Sequence, residues 1–503
     1  MKKLLIIDLE KNYEVFHENC FYLLTNRGSV NLKNSNKIDF NINKNKNNIN
    51  KKKKNFISYL SKIQNIFKKN KFRIEASELE IFNLRNDKYN YIDKILLFSC
   101  LREKRLENKF KIEVITDQDN LKKFYQSSFG KKIQITNLLK KNKIKNKESS
   151  LILKYFKFIL RALYFLIIIK ILKKNANFKK NSDLCLSLYP YFFKNKNIDL
   201  YNVKEKTYLN FSLTDETHLN LSPIKYFNHI KKLSKLDKIV SIEKYIKFKE
   251  LFFSMIKFYI DYSKLKKLFN KSFNFHGIDC TNLIYPHIKI SFYNRSKLFL
   301  YERSLDYFLE NNSPKKLNYF LFEYNFGFFL RNRLKKIKKF VGYQHGIYTN
   351  NLMWLDLVNS KKNDFLPNEV VCNRKESFKS YKKNFKKILL RKKINKLNKK
   401  LEINSKNSSN ILVFLGQHDM EDCLYFFLNN KKFKDKKIYF KLHPNNKKKI
   451  NILSSNFYFV DKVKQLKKYK VYLAPTTTLI YDFLDRKLKF EIIKFHYKID
   501  LWN

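Results

Sequence analysis

From Asn410 to Phe495 the chain keeps changing its hydrophobic period. "NILVFLG" is apolar without a break, "MEDCLYFFLNN" is amphipathic, "KKIYFKLHP" and "NFYFV" are strand-like, "DKVKQLKKY" is helical, and "KVYLAPTTT", "LIYDFLDRK" and "KFEIIKF" repeat strand, helix, strand. Short apolar runs that alternate with amphipathic ones are what a parallel sheet demands, because its strands are buried on both faces and need crossovers between them. The earlier part alternates in the same way through "KLLIID", "YIDKILLFSCLREKR", "KIEVITD", "DNLKKFYQSSF", "KIQIT", "DLCLSLYPYFF" and "TYLNFSLTD". The expected class is therefore α/β, with two Rossmann-like domains. Residues 391–409 are polar, charged and aperiodic, which predicts a linker between a domain at 1–390, carrying a helical insertion, and a second at 410–503. This second unit stops at "HYKIDLWN" just after a strand, so its closing helix is expected to be missing or supplied by the first domain.

Smaller expectations follow. "MKKLLIIDLEKN" reads as a first strand, because Asp8 cuts its apolar run far below the length of a signal-peptide core. The tract "NKNKNNINKKKKN" reads as a solvated loop, and residues 222–275 as a long helical region. "LNYFLFEYN", "FGFFLRNRLKKIKK" and "FVGYQHG" read strand, helix, strand, which puts Glu323 and His345 just past the ends of neighbouring strands. That edge of an open parallel sheet is where ligands bind.

The formal net charge is +62, from 106 Lys+Arg against 44 Asp+Glu. Only 13 of those cations are arginine, the residue favoured for bidentate phosphate and base contacts, so nucleic acid is not an expected partner. The six cysteines are scattered without a CxxC pair, which predicts reduced core residues in a cytoplasmic protein. One stretch bears on the membrane, "LILKYFKFILRALYFLIIIKILKK" at 151–174. Its longest uncharged run is eight residues, too short for the roughly 20 that span a bilayer. On a helix Lys154, Lys157 and Arg161 share a face beside bulky apolar residues, the pattern of a basic helix lying on an anionic membrane surface. The same pattern equally fits a helix packed in a domain core with a charged outer stripe.

Three elements of the C-terminal unit point at one sheet edge. His443 and Pro444 end a strand in "FKLHP", Gly416, Gln417 and His418 form the first strand-to-helix turn in "FLGQHD", and Thr476, Thr477 and Thr478 stand between strand and helix in "LAPTTTLIYD". Threonines at a helix start suit an anion, and a histidine donor beside them suits the phosphates of an activated sugar. No acidic pair stands there, so no metal is expected, and no Walker A, GxGxxG, HExxH or GxSxG motif occurs.

The ordered set "FEYN", "GYQHG", "FLPNEVVCN", "KLHP" and "APTTT", within residues 318–485, resembles bacterial surface-carbohydrate biosynthesis proteins of the GT-B type. More distantly it is similar to bacterial sialyltransferases and to the CDP-glycerol glycerophosphotransferases. The sialyltransferases' acidic-acidic-glycine motif is absent, and Gln344 stands where the glycerophosphotransferases carry tryptophan. The resemblance implies a GT-B-like fold with an inter-domain cleft, a nucleotide-sugar donor, a glycan or lipid-linked acceptor, and no cofactor. It implies His345 as the base candidate, His443 as a donor-phosphate ligand and Thr476–Thr478 as the phosphate loop. Gly342, Gln344 and Gly346 would form the substrate loop, with the glycines letting substrate approach the imidazole. Glu323 either orients His345 or is itself the base. A glycerophosphotransferase and a non-enzymatic basic scaffold on membrane or nucleic acid are the rival readings.

Overall fold

The computed structural model describes the whole chain except residues 45, 70–89, 140–150, 173–182, 189–200, 202, 204–205, 214–223, 225–226, 229, 232–234, 236–238, 269, 321, 350, 355–365, 373, 383, 391–409, 445–449, 451–453, 462–468 and 503. Its frame is three parallel sheets, so the fold is mixed α/β. The first contains β1 (Lys2–Asp8), β2 (Phe21–Leu24), β3 (Asn36–Lys37), β4 (Phe110–Thr116) and β5 (Gln134–Asn137), ordered β3-β2-β1-β4-β5. The second contains β6 (Asp183–Leu188), β7 (Lys206–Phe211), β8 (Ile239–Ser241), β9 (Lys316–Tyr319), β10 (Lys339–Tyr343), β11 (Glu369–Cys372) and β12 (Ile388–Leu390), ordered β8-β7-β6-β9-β10-β11-β12. The third contains β13 (Asn410–Phe414), β14 (Ile438–Lys441), β15 (Phe457–Val460), β16 (Tyr469–Leu473) and β17 (Glu491–Ile492), ordered β15-β14-β13-β16-β17.

Numbered within each sheet, the first five strands run 3-2-1-4-5. The chain therefore reverses its direction of travel between the first and fourth strands, the switch point at whose C-terminal ends open parallel sheets bind ligands. The central strands are apolar on both faces, as parallel strands under helices must be: Leu4 to Ile7 in β1 and Ile411 to Phe414 in β13 are all buried. The described helices are α1 (Lys46–Lys69), α2 (Asn90–Arg102), α3 (Lys122–Phe129), α4 (Leu151–Ile171), α5 (Phe248–Leu268), α6 (Thr281–Asn311), α7 (Asn325–Arg333), α8 (Lys375–Tyr381), α9 (Met420–Leu428) and α10 (Leu479–Asp485).

Residues 1–390 thus carry two large parallel sheets, with α4 falling between them in sequence, besides a short parallel pair, Tyr13–Glu18 with Val30–Lys33. The Lys/Asn tract expected to be a solvated loop is instead, from Lys46 on, part of α1. Ile49, Phe56, Ile57 and Leu60 give it an apolar face at helical spacing. Lys52, on that same face, is buried because its ammonium reaches Glu103 at 2.6 Å and the Ser99 hydroxyl at 2.9 Å. The region 222–275 is likewise not helical throughout: it contains β8 and half of a two-stranded hairpin, Asn274–Phe275 with Ile278–Asp279. The expected linker 391–409 and most of the expected helix "DKVKQLKKY" lie outside the described residues.

The end of the chain ties the third sheet's unit to the first. Among the described residues past Ile492 there is no helix, and the backbone there runs along the first unit. Ile42 N–H donates to the His496 carbonyl, Asn43 pairs with the Lys498 carbonyl and the Asp500 N–H, and Ile499 N–H donates to Asp93. Behind this seam the buried Asp422 of α9 receives Lys498 at 2.8 Å and the Tyr497 hydroxyl at 2.9 Å, with Arg27 of the first unit 3.7 Å away. Burial disfavours its charge, but Lys498 and Arg27 overcome that and hold the carboxyl below its ordinary range.

Candidate functional site

In the third sheet Phe414 pairs with Lys441 on one side and with Leu473 on the other. Two residues beyond that rung come Gly416, His443 and Pro475, so the three segments singled out in the sequence leave the sheet side by side. The convergence is closer than the motifs alone imply. A Cβ on Gly416 would lie 2.0 Å from Thr476 Oγ1 and 2.3 Å from Asp419 Oδ1. Glycine is demanded here by the chain's own side chains.

Asp419 is the residue that sequence reasoning missed. It precedes α9, and its Oδ2 accepts the Thr476 backbone N–H at 2.9 Å, bonding the turn after β13 to the turn after β16. The carboxyl is buried, and burial pushes it up to about 6 against the pull of Thr476. One sequence signal was available, an acid immediately before a helix at the end of a central strand. The carboxylate already uses one N–H of the threonine loop. Thr477 N–H donates to the Ala474 carbonyl at 3.1 Å, and Thr477 is buried, whereas Thr476, Thr478 and His443 are half-buried and Gln417 is exposed. The Trp502 indole closes over this loop by donating to the Pro475 carbonyl at 2.7 Å.

In the second sheet Tyr319 pairs with Gly342, and Tyr343 with Val371, so Glu323 and His345 do follow adjacent strands. Their surroundings differ. Glu323 is 1% exposed, and its charge, after burial itself, helps raise the Tyr381 hydroxyl well above its ordinary value. His345 is half-buried with its ring 5.6 Å from that of Phe320, so of the two it is the one that solvent can reach. Gly342 is required by packing, since a Cβ there would meet Phe322 and Pro367 at 2.7 Å. Gln344 is buried and braces the turn: its N–H bonds the Val371 carbonyl, its amide nitrogen donates to the Gly346 carbonyl at 3.1 Å, and Ser377 donates to its Oε1 at 2.8 Å. Lys154, Lys157 and Arg161 are exposed on α4.

The His345 turn and the threonine loop are brought to one seam. The Tyr481 hydroxyl of α10 accepts the Tyr348 N–H at 2.7 Å and donates to the Tyr348 carbonyl at 2.9 Å. Tyr348 in turn stacks on Tyr381 with ring centroids 3.7 Å apart. Arg374, which precedes α8, pairs with Asp482 of α10, both of them buried. Tyr348 follows His345 by three positions, and Tyr481 follows Thr478 by three.

Among the described residues no group of three or more His, Cys, Asp or Glu side chains is placed to hold a metal ion. None of the described helices is long and apolar enough to cross a membrane. The six cysteines are free thiols, five of them buried. No protein family, curated protein or solved structure matches this chain.

Proposed function

We propose that this chain is a metal-independent glycosyltransferase of GT-B-like architecture, acting in surface polysaccharide assembly on the cytoplasmic side of the membrane. The nucleotide-activated sugar binds at the C-terminal edge of the third sheet, and a glycan or lipid-linked acceptor binds at His345. The observation that carries this reading is the Tyr348–Tyr481 clamp, reinforced by Arg374–Asp482, which brings the His345 turn against the helix that follows Thr476–Thr478. An enzyme that joins two substrates held on two sheets needs such a seam.

In the proposed reaction His345 takes the proton of an acceptor hydroxyl. The oxygen then attacks the anomeric carbon, and the bond from that carbon to the nucleotide phosphate breaks. The phosphate leaves with the electron pair, steadied by His443 and by the Thr478 hydroxyl, because Asp419 already engages both the N–H and the hydroxyl of Thr476. Because Glu323 is 1% exposed, this reading takes it as a positioning residue beside His345 rather than as the group that meets substrate.

The test is a panel of nucleotide sugars, with CDP-glycerol included, scored by thermal stabilisation and then by turnover. His443→Ala is expected to weaken nucleotide binding by about tenfold. His345→Ala is expected to lower turnover by roughly a hundredfold or more with donor binding intact. Should no nucleotide stabilise the chain, or should Glu323→Gln abolish turnover while His345→Ala retains it, the reading fails in its donor or its base respectively. Stabilisation by CDP-glycerol alone would replace it with glycerophosphate transfer.

A further inference from the structure

Helices α4 and α5 lie side by side. Tyr155 stacks flat on Phe258 with ring centroids 4.0 Å apart and planes at 8°, and its hydroxyl bonds that of Ser254. At the far end of α4, Lys170 lies 3.9 Å over the ring of Phe248, the first residue of α5, so the two helices run in opposite directions. Each buries one face, through Tyr155, Phe158 and Ala162 on α4 and through Leu251, Phe258 and Leu265 on α5.

Their outward faces are not those of water-facing helices. On α4, Phe156, Leu160, Leu163 and Ile167 are exposed at successive helical turns, and on α5 so are Phe248, Phe252, Ile256 and Ile260. Of the 24 large apolar side chains exposed among the described residues, eight are on α4 and six on α5. An apolar surface gathered in this way marks a binding face, whereas scattered exposed apolar residues do not. The charges beside it are of one sign. α4 has no acidic residue, and the two acids of α5, Glu250 and Asp261, are both buried. Lys154, Lys157 and Arg161 flank the apolar face of α4, and Lys249, Lys266 and Lys267 are exposed at the ends of α5.

We propose that α4 and α5 together form a platform that seats this protein in the interface of an anionic lipid bilayer, apolar faces in the acyl boundary and the flanking cations among lipid phosphates. The basic stripe of α4 is thus a rim, and the inserting surface is the apolar face beside it and its continuation on α5. Anionic lipid fits better than a second copy of this chain, because two such platforms would bring cations against cations with no exposed acid on either face. The inference stands apart from the glycosyl-transfer reading, since it is measured without any donor.

The experiment is flotation with vesicles of phosphatidylcholine alone and with about a third phosphatidylglycerol, at low and high salt. Wild-type protein should float with the anionic vesicles and be released by salt. Replacing Lys154, Lys157 and Arg161 with glutamine should weaken partition by about a hundredfold, roughly fivefold per cation. The triple variant Phe252→Ser, Ile256→Ser, Ile260→Ser should lose binding to a similar extent, with an unchanged melting temperature because all three side chains are exposed. As a readout on the otherwise native surface, the added fluorescence of Ile256→Trp should be quenched by brominated acyl chains. Wild-type flotation by the α5 triple variant, equal binding to neutral vesicles, or an unquenched Trp at 256 overturns the proposal. So does a concentration-dependent dimer that this variant dissociates and that binds no vesicles, which would assign the face to a second copy.

Discussion

The carboxyl of Asp419 allows a prediction opposite to the usual expectation for a buried hydrogen-bonded acid. It is buried, and its folded-state pKa of about 6 lies above the ordinary 3.8. As pH rises, the unfolded chain therefore gives up this proton first. The stability associated with the protonated form is complete below about pH 4, is lost between about 4 and 6, and stays lost above that. A gap of about 2 pH units corresponds to ~3 kcal/mol. Asp419→Asn removes the buried charge yet keeps an oxygen to accept the Thr476 N–H. The variant should thus be more stable than wild type by about 1–3 kcal/mol at pH 7.5, with the advantage shrinking towards zero near pH 4. Urea unfolding at a series of pH values, followed by tryptophan fluorescence, measures it, since the Trp502 indole bonds the carbonyl next to Thr476. Asp93, which burial pushes to about 7, titrates in both proteins and cancels in the difference. A variant less stable than wild type at pH 7.5, or a difference that does not change with pH, would refute the argument.

Gly416→Ala should cost about 1–3 kcal/mol, because its new methyl must displace both Thr476 and Asp419; an unchanged urea midpoint would show that the two turns have room to spare. Tyr481→Phe leaves the N–H and carbonyl of Tyr348 without their shared partner and should destabilise by about 2–4 kcal/mol, with faster amide exchange across residues 345–349. Exchange there at the wild-type rate would mean that the clamp does not hold the His345 turn.

Much of the architecture was legible because the signals are local. A strand buried on both faces is apolar whatever it pairs with, and an amphipathic run keeps its period whatever covers it, so "NILVFLG" and "MEDCLYFFLNN" announced β13 and α9. The same logic failed at "NKNKNNINKKKKN", where composition masked the apolar spacing from Ile49 to Leu60 and gave no hint that Glu103 would neutralise Lys52. The glycines gave no local clue for a related reason. The atoms that a Cβ would meet at Gly342 and Gly416, those of Phe322, Pro367, Thr476 and Asp419, come from distant parts of the chain itself.

Local signals were enough for the α/β class, for the strands whose ends carry Glu323, His345, Gly416, His443 and Thr476–Thr478, and for the cationic face of α4. Packing revealed that residues 1–390 hold two large parallel sheets, that Asp419 joins two turns 57 residues apart in sequence, and that Tyr348 meets Tyr481 across 133. It also placed the apolar face of α5 beside that of α4. Periodicity encodes which side of an element faces inward, because it repeats within a few residues. Which elements then meet depends on how whole helices and sheets pack, and no local run of residues records that.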